Sequence, residues 1–536
     1  MKNLSMLRVQ NYVLAAMTLL CLAMTGLAQT ESARIQGTVA DANGAVVAGA
    51  TVTVTSVGTG RVSKVVSNAD GSYTVLSLQP GRYRIEVAQA NFKTIKQEVT
   101  LEVAQSANLD FALEAGAVSE TVTVTSDIPQ VDTTTSALGQ VISGREAIDL
   151  PLNGRNVLEL ARLTPGVTQG IPAGFATGVS GNAETYRGRN TGGAALSVNG
   201  QRTQANNFLL DGVDNNESLV NTINVFPSAE AVQEFRVQTS VASAEFGRGG
   251  GGIVNSVIKS GTNRFFGSAF AFVRNDNFDA RPTFNSTRNE FRRGQFGGTF
   301  GGAIWRDRVF FFGDYEGLRQ FLPLNQETAT VPTALMRTGN FSELLPSIQL
   351  TDILTNLPIA NNRVDLLAGN RMNPVALRYL QAFPLPNRPG IFNNYATTRN
   401  ETTNGNTFDT RIDATLSSKH SLFGRFSWGK FEQTVTSRLP ALPAGFGSGT
   451  NPTKTKGIVF GLNSSLRTDL FNELRVQASR INYGYTPPFF DQPISGNLGI
   501  PNANRDASLG GGALIGGYNG QLEYTGDFGP YIVPQD

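Results

Sequence analysis

Residues 407–431 read TFDTRIDATLSSKHSLFGRFSWGKF, two alternating runs on either side of a polar turn. In the first run Phe408, Thr410, Ile412, Ala414 and Leu416 share one face, and Asp409, Arg411, Asp413 and Thr415 share the other. In the second, Leu422, Gly424, Phe426 and Trp428 oppose Arg425, Ser427 and Gly429. A period of two is the signature of a strand with two unlike faces, so the stretch predicts a hairpin. An apolar face opposite a charged one has two physical solutions. In a soluble sandwich the apolar face is the core; in a membrane barrel it meets lipid, and the charged face lines the lumen.

Loop lengths separate the two. Alternation predicts strands at 265–274, 291–303, 309–318, 407–416, 422–431, 457–467 and 471–482. The connections at 304–308, 417–421 and 468–470 are tight, and those at 275–290, 319–406 and 432–456 are long. Tight turns at one end and long loops at the other mark an outer-membrane barrel. The 319–406 stretch, with Pro332, Pro374, Pro384, Pro386 and Pro389 and the aromatics Phe341, Phe383, Phe392 and Tyr395, is too long to be a passive connection and is placed outside the cell.

Composition agrees. Of 536 residues, 16% are charged, 58 are Gly and 33 are Phe, against 12 Tyr and 2 Trp. A net charge of +2 gives no electrostatic case for nucleic acid. At the N-terminus, Lys2 and Arg8 precede an apolar run, Val13 to Ala23, and Gly26-Leu27-Ala28 sets small residues where a signal peptidase reads them. Residues 1–28 are therefore expected to be a cleaved leader. The sole cysteine, Cys21, lies inside it and follows Leu20, which does not suit acylation. The mature chain then has no thiol for disulfides, catalysis or metal. One histidine, His420, sits in a turn, which disfavours zinc peptidase and Ser-His-Asp chemistry. No catalytic residue, metal site or cofactor is expected.

Upstream, residues 33–114 read as a small β-sandwich with turns at Asp41–Gly44, Asn68–Gly71 and Pro80-Gly81. Its expected core is Ile35, Val39, Val52, Val54, Tyr73, Val75, Leu78, Tyr83, Ile85, Val87 and Phe92. Residues 127–258 mix helix and strand signals. A short helix is predicted from Asn156 to Leu163, capped by Asn156 with Glu159 three residues on and stopped by Pro165-Gly166. Gly247, Gly249 and Gly252 fit G-x-G-x-x-G, but the β-like run Ile253–Ile258 follows where a dinucleotide site needs a helix. These glycines read instead as a close backbone crossing.

Two resemblances sharpen this. Ile35-x-Gly37-x-Val39-x-Asp41-x-x-Gly44, Asp70-Gly71-x-Tyr73 and Leu78-x-Pro80-Gly81-x-Tyr83 resemble the carboxypeptidase regulatory-like family, a transthyretin-like sandwich that is a non-catalytic appendage. LPLNGRN (150–156), LTPGV (163–167), NNFLLDGVDNN (206–216), KSGTNRFFGSAFAFVRN (259–275) and VPTALMRTGNFS (331–342) are similar to the Oar-like subgroup of TonB-dependent outer-membrane transporters. That likeness implies a mainly β chain: leader (1–28), sandwich (29–116), a TonB-box-like segment (117–126), an α/β plug (127–258) and part of an antiparallel outer-membrane barrel (259–536). It implies a TonB-type energy-coupling protein, outer-membrane lipid and an extracellular substrate (oligosaccharide, peptide or metal chelate) as partners, with import or export as the direction.

Within that frame Glu120, Thr121, Val122, Thr123, Val124 and Thr125 resemble the TonB box, an extended segment offered to a partner's sheet edge. Read from the residues alone, the run lacks a neighbouring strand of its own, and the alternatives to the box are the last strand of the sandwich or a linker. Asn153, Gly154, Arg155 and Asn156, with Arg202, Asp211 and Gly212, fall in the plug motifs, with Arg155, Arg202 and Asp211 as structural candidates. Arg411, Asp413 and Arg425 are expected to face the lumen and hold the plug by polar contacts. Plugged transporters need about 22 strands, so the chain is expected to be a fragment or a truncated product. A surface binding or adhesion protein using the sandwich is the alternative.

Overall fold

The computed structural model describes residues 32–116, 121–124, 138–152, 154–169, 196–217, 221, 223–240, 247, 249–281, 283, 288, 290–323, 326–369, 371–442, 448–467, 470–490, 492–500 and 531–535. The expected leader lies outside them.

The first unit is a sandwich. Its strands are β1 (Ala33–Asp41), β2 (Thr51–Ser56), β3 (Val62–Val66), β4 (Ser72–Leu78), β5 (Gly81–Ala88), β6 (Thr94–Leu101), β7 (Ser106–Asn108), β8 (Phe111–Leu113) and β9 (Thr121–Val124). One sheet runs β4-β1-β7, with β8 also on β1; the other runs β3-β2-β5-β6-β9. Alternate residues of both sheets meet in the core. All the expected core residues are buried except Phe92, which is partly buried against it. Tyr73 and Tyr83 bury their rings and donate their hydroxyls to the Leu109 and Gln79 carbonyls at 2.8 and 2.7 Å, so neither polar tip is stranded.

β9 corrects one reading. The Thr121–Val124 run does not lack a neighbour: it pairs in parallel with β6. Glu120 and Thr125 lie outside the described residues.

The middle unit contains β10 (Leu138–Ser143), helix α1 (Gly144–Asp149), β11 (Val167–Gln169), β12 (Leu196–Val198), β13 (Asn207–Leu210), β14 (Val213–Asp214), β15 (Val232–Ser240) and β16 (Ile253–Ile258). A mixed sheet runs β10-β15-β16-β13-β14, and β11 pairs with β12. The expected helix at 156–163 is a 3-10 helix, Val157–Leu163, with Asn156 Oδ1 accepting from Leu158 N–H. Glu159 closes no capping box there; it pairs with Arg162 at 2.8 Å. The capping box belongs to α1, where Ser143 and Glu146 satisfy each other's backbone. The glycine-rich stretch leads into strand β16, and a Cβ at Gly251 would lie 2.6 Å from Asn206 Oδ1, so the glycine admits a close crossing.

The last unit is an antiparallel meander of eight strands: β17 (Phe266–Asn275), β18 (Arg292–Trp305), β19 (Val309–Pro323), β22 (Asn400–Thr415), β23 (His420–Val435), β24 (Gly449–Arg467), β25 (Leu470–Tyr485) and β26 (Tyr531–Gln535). Several strands are longer than alternation alone predicted, because pairing continues past the apolar stretch into polar residues: β22 begins at 400 and β24 at 449. The abundance of Gly and Phe has a local cause. Phenylalanines lie across glycines of the neighbouring strand in the pairs Phe270–Gly297, Phe296–Gly317, Phe431–Gly405 and Phe423–Gly461. A Cβ at Gly317 would meet the Phe296 ring at 2.7 Å. Each ring covers backbone that its partner glycine leaves bare.

Between β19 and β22 the long connection carries β20 (Glu327–Ala329), helix α2 (Pro374–Ala382) and β21 (Tyr395–Thr397). It folds with the neighbouring long loops around Val331, Tyr379, Phe383, Leu439 and Leu442. Glu327 is clamped by Arg399 and Arg438, each at 2.7 Å. The sandwich sits at the opposite, tight-turn end: Asn263 N–H donates to the Gly58 carbonyl at 2.9 Å, and Asn263 holds the turn residue Asp307.

Candidate functional site

The barrel sheet turns its charged face inward, against the middle unit. Arg411 is only 2% exposed, whereas its neighbour Ile412 is 49% exposed. Arg411, Arg425, Asp409 and Asp413 are all buried on one side; Phe408, Phe426 and Phe460 are exposed on the other. Phe423 shares the buried side, where the Arg411 and Arg475 guanidiniums stack on its ring at 4.7 and 4.9 Å.

Asp211 meets this face. The β13–β14 hairpin has a two-residue turn, Asp211-Gly212, with φ of +54° and +73°, as a tight hairpin of type I′ requires. That turn carries the wholly buried Asp211 carboxylate to the wall. Arg411 Nη1 donates to Asp211 Oδ1 at 2.9 Å and to the Ile258 carbonyl at 3.2 Å. Ile258 N–H donates to the same Asp211 oxygen at 3.0 Å. Arg425 Nε stands 2.9 Å from the other oxygen, a contact of charge rather than an aligned hydrogen bond. Arg411 also grips Asp413 through Nε and Nη2, both at 3.0 Å. Asp413 in turn accepts from Ser260 at 2.7 Å and from Gln79 of the sandwich at 3.2 Å. The cluster thus ties all three units together. Charges this deep hold only as partners, since removing one leaves an uncompensated buried charge.

A second contact uses the 150–156 motif. Gly154 and Arg155 both have positive φ, +86° and +56°, and the bend aims Arg155 at the wall. Its guanidinium pairs with Glu230 at 2.9 Å and lies over Phe270 and Phe272 at 4.8 and 4.3 Å. Gln295 donates to the Gly154 carbonyl at 3.1 Å. The asparagines of the 206–216 motif act as backbone substitutes: Asn206 Oδ1 accepts from Gly252 N–H, and Asn215 exchanges both its groups with Val225. Arg202, by contrast, is exposed at the start of a short 3-10 turn that its side chain does not cap, so the structure does not bring it to the wall. Asn153 lies outside the described residues.

A third contact was not legible in the sequence. Glu234 of β15 faces the sandwich, where its carboxyl accepts from Val103 N–H, and Arg236 donates to the Ala104 carbonyl at 3.0 Å. Burial pushes the Glu234 carboxyl up to about 8, against the pull of the Val103 N–H and Arg236, with Glu102 adding to the push.

An outward apolar face, an inward charged face and a folded domain locked to the latter define a membrane β-barrel wall with an inner domain. The chain belongs to the outer membrane beta barrel domain family, which residues 257–534 match, and it is an outer-membrane protein. Residues 34–114 match the carboxypeptidase regulatory-like domain. The chain is similar to the TonB-dependent transporter Oar of Myxococcus xanthus, 28% identical over 303 residues that cover 53% of this chain and 26% of that protein. It therefore spans about a quarter of the curated relative it matches. Among solved structures it is similar to the outer membrane transporter YddB from Escherichia coli, with 11% identity, 66% of this chain and 41% of that one covered, and a TM-score of 0.38. A mutant ferric enterobactin receptor, PfeA from Pseudomonas aeruginosa, gives 12% identity, 66% and 42% coverage, and a TM-score of 0.37. These relatives are transporters and receptors rather than enzymes.

Proposed function

We propose that the chain serves TonB-dependent transport across the outer membrane. Residues 127–258 are the plug, 117–126 the coupling segment, and the folded long loops the substrate-facing surface. The observation that carries this reading is the buried Asp211–Arg411–Asp413–Arg425 cluster, which seats the middle domain on the inward face of the barrel sheet. These charge-paired contacts lock the domain in place beside small apolar contacts, Leu210 and Val225 with Phe312 and Val213 with Phe423 and Val459. The likeness to the Myxococcus xanthus transporter supports the coupling step. It also favours transport over the adhesion alternative. Tight turns of such barrels face the periplasm, which sets the sandwich and the coupling segment on the side where an inner-membrane partner reaches them.

Two measurements test it. The protein is expected to fractionate with outer membranes and to migrate heat-modifiably; recovery in a soluble fraction would sink the proposal. Val122→Pro and Val124→Pro each delete a ladder donor. They are expected to abolish capture of a soluble periplasmic domain of a TonB-type protein while leaving that migration unchanged. Undiminished capture by both variants would remove 120–125 as the coupling segment.

A further inference from the structure

The coupling segment is already occupied. β9 lies parallel to β6, with Thr94 opposite Thr121, Ile95 opposite Val122, Lys96 opposite Thr123 and Gln97 opposite Val124. β6 pairs with β5 on its other side, so without β9 it would be an open sheet edge. The chain is guided to that edge. Lys93 N–H donates to the Glu114 carbonyl at 2.9 Å, Gly116 N–H donates to the Asn91 carbonyl at 3.1 Å, and Phe92 bridges Ala115. The Lys93 ammonium pairs with Glu114 at 3.3 Å. Its stem crosses Gly116, where a Cβ would lie 2.6 Å from Lys93 Cγ. Residues 91–93 thus hold the chain at 114–116, beside the edge that β9 takes.

We propose that the sandwich is the resting seat of the coupling segment, its β6 edge competing with the coupling protein for residues 121–124. This rests on the transporter reading above. Both partners would take the segment in the same way, by strand addition through backbone hydrogen bonds. Four residues at a sheet edge open locally at small cost, so the seat is reversible. Affinity for the coupling protein then falls by the fraction of molecules in which the strand is free. The sandwich thereby acquires a role: it withholds the segment until the sheet edge releases it.

A lock tests this in the full chain. Paired strands are about 4.8 Å apart, within the span of a disulfide. Lys96→Cys with Thr123→Cys, in a Cys21→Ser background, is expected to cross-link under mild oxidation. The off-register pair Lys96→Cys with Thr121→Cys is not. The oxidised protein should capture a soluble periplasmic domain of a TonB-type protein at least about tenfold less well than the same protein after reduction. Absence of the register-specific cross-link overturns the seat even if capture is normal. Equal capture in oxidised and reduced forms overturns the competition, because the outer edge of β9 would then serve the partner. If neither the reduced double variant nor the unaltered chain captures the domain, the coupling reading falls and the competition with it. Unchanged heat-modifiable migration controls for folding of the barrel.

Discussion

In the sandwich, Val52 and Val54 stand opposite Val87 and Ile85 and point into a dry core. In the barrel sheet, Ile412 and Phe426 point out and the charged alternates Arg411 and Arg425 point in. Both regions are built on a two-residue period, yet they bury opposite faces of it. The difference lies in what each face meets. Two apolar faces exclude water from each other in the sandwich. A barrel wall has lipid outside, which takes the apolar face, and the inward charges need an ionic partner. The middle unit supplies it through Asp211.

The largest effect should come from breaking that ionic partnership. Arg411→Ala takes the guanidinium from Asp413 and leaves Asp211 to Arg425, and is expected to cost about 3–5 kcal/mol. The loss is measured as a lower urea midpoint and as protease sensitivity of the middle unit; an unchanged midpoint would mean the cluster does not hold it. A matched pair of substitutions then separates the two kinds of alternation. Ile85→Ala should destabilise the sandwich by about 2–5 kcal/mol in any medium. Ile412→Arg should cost about 2–4 kcal/mol when the barrel is folded into bilayers and far less in a soluble setting. Equal costs in both media would show that Ile412 does not face lipid.

A smaller effect sharpens the contact between sandwich and middle unit. Glu234, with its carboxyl raised from 4.5 to about 8, keeps a proton when docked that it loses when exposed. Docking is therefore strongest below pH 4.5 and weakens as pH rises toward 8, by at most about 1.4 kcal/mol per pH unit. Hydrogen exchange at the Val103 amide, corrected for intrinsic rate, reads this, and Glu234→Gln should flatten the slope. Smallest of all, Glu98→Gln removes the exposed pairs with Arg82 and Arg84 and should change stability by about 0–1 kcal/mol. A larger loss would mean these pairs stiffen the β5–β6 edge on which β9 rests.

Much of this was legible because side-chain alternation and turn chemistry are local. Half of the sandwich core was read, from Ile35 to Val87, where strands alternate between Gly and Asn turns; Ile95, Val99, Leu101, Phe111 and Leu113 in the later strands were missed. That Arg411, Asp413 and Arg425 share one face of the sheet, the buried one, followed from the same period. Local reading failed where signals overlap. Ser143-Gly144-Arg145-Glu146 carried the capping box of α1, but the stronger apolar spacing after Asn156 drew the helix there, and that segment tightened into a 3-10 helix instead. Arg202 stood between the glycines and asparagines of the plug motifs, yet it is exposed.

The sequence by itself determined where the barrel strands lie and make their tight turns, which residues share a face, and that one sheet is apolar outward. These depend on backbone geometry within a few residues. Tertiary structure alone decided that Asp211 pairs with Arg411, 200 positions away, that Glu234 is dehydrated against the sandwich, and that Thr121–Val124 rests on β6. Each of these depends on which surfaces meet, and a period of two has no information about the partner across the gap.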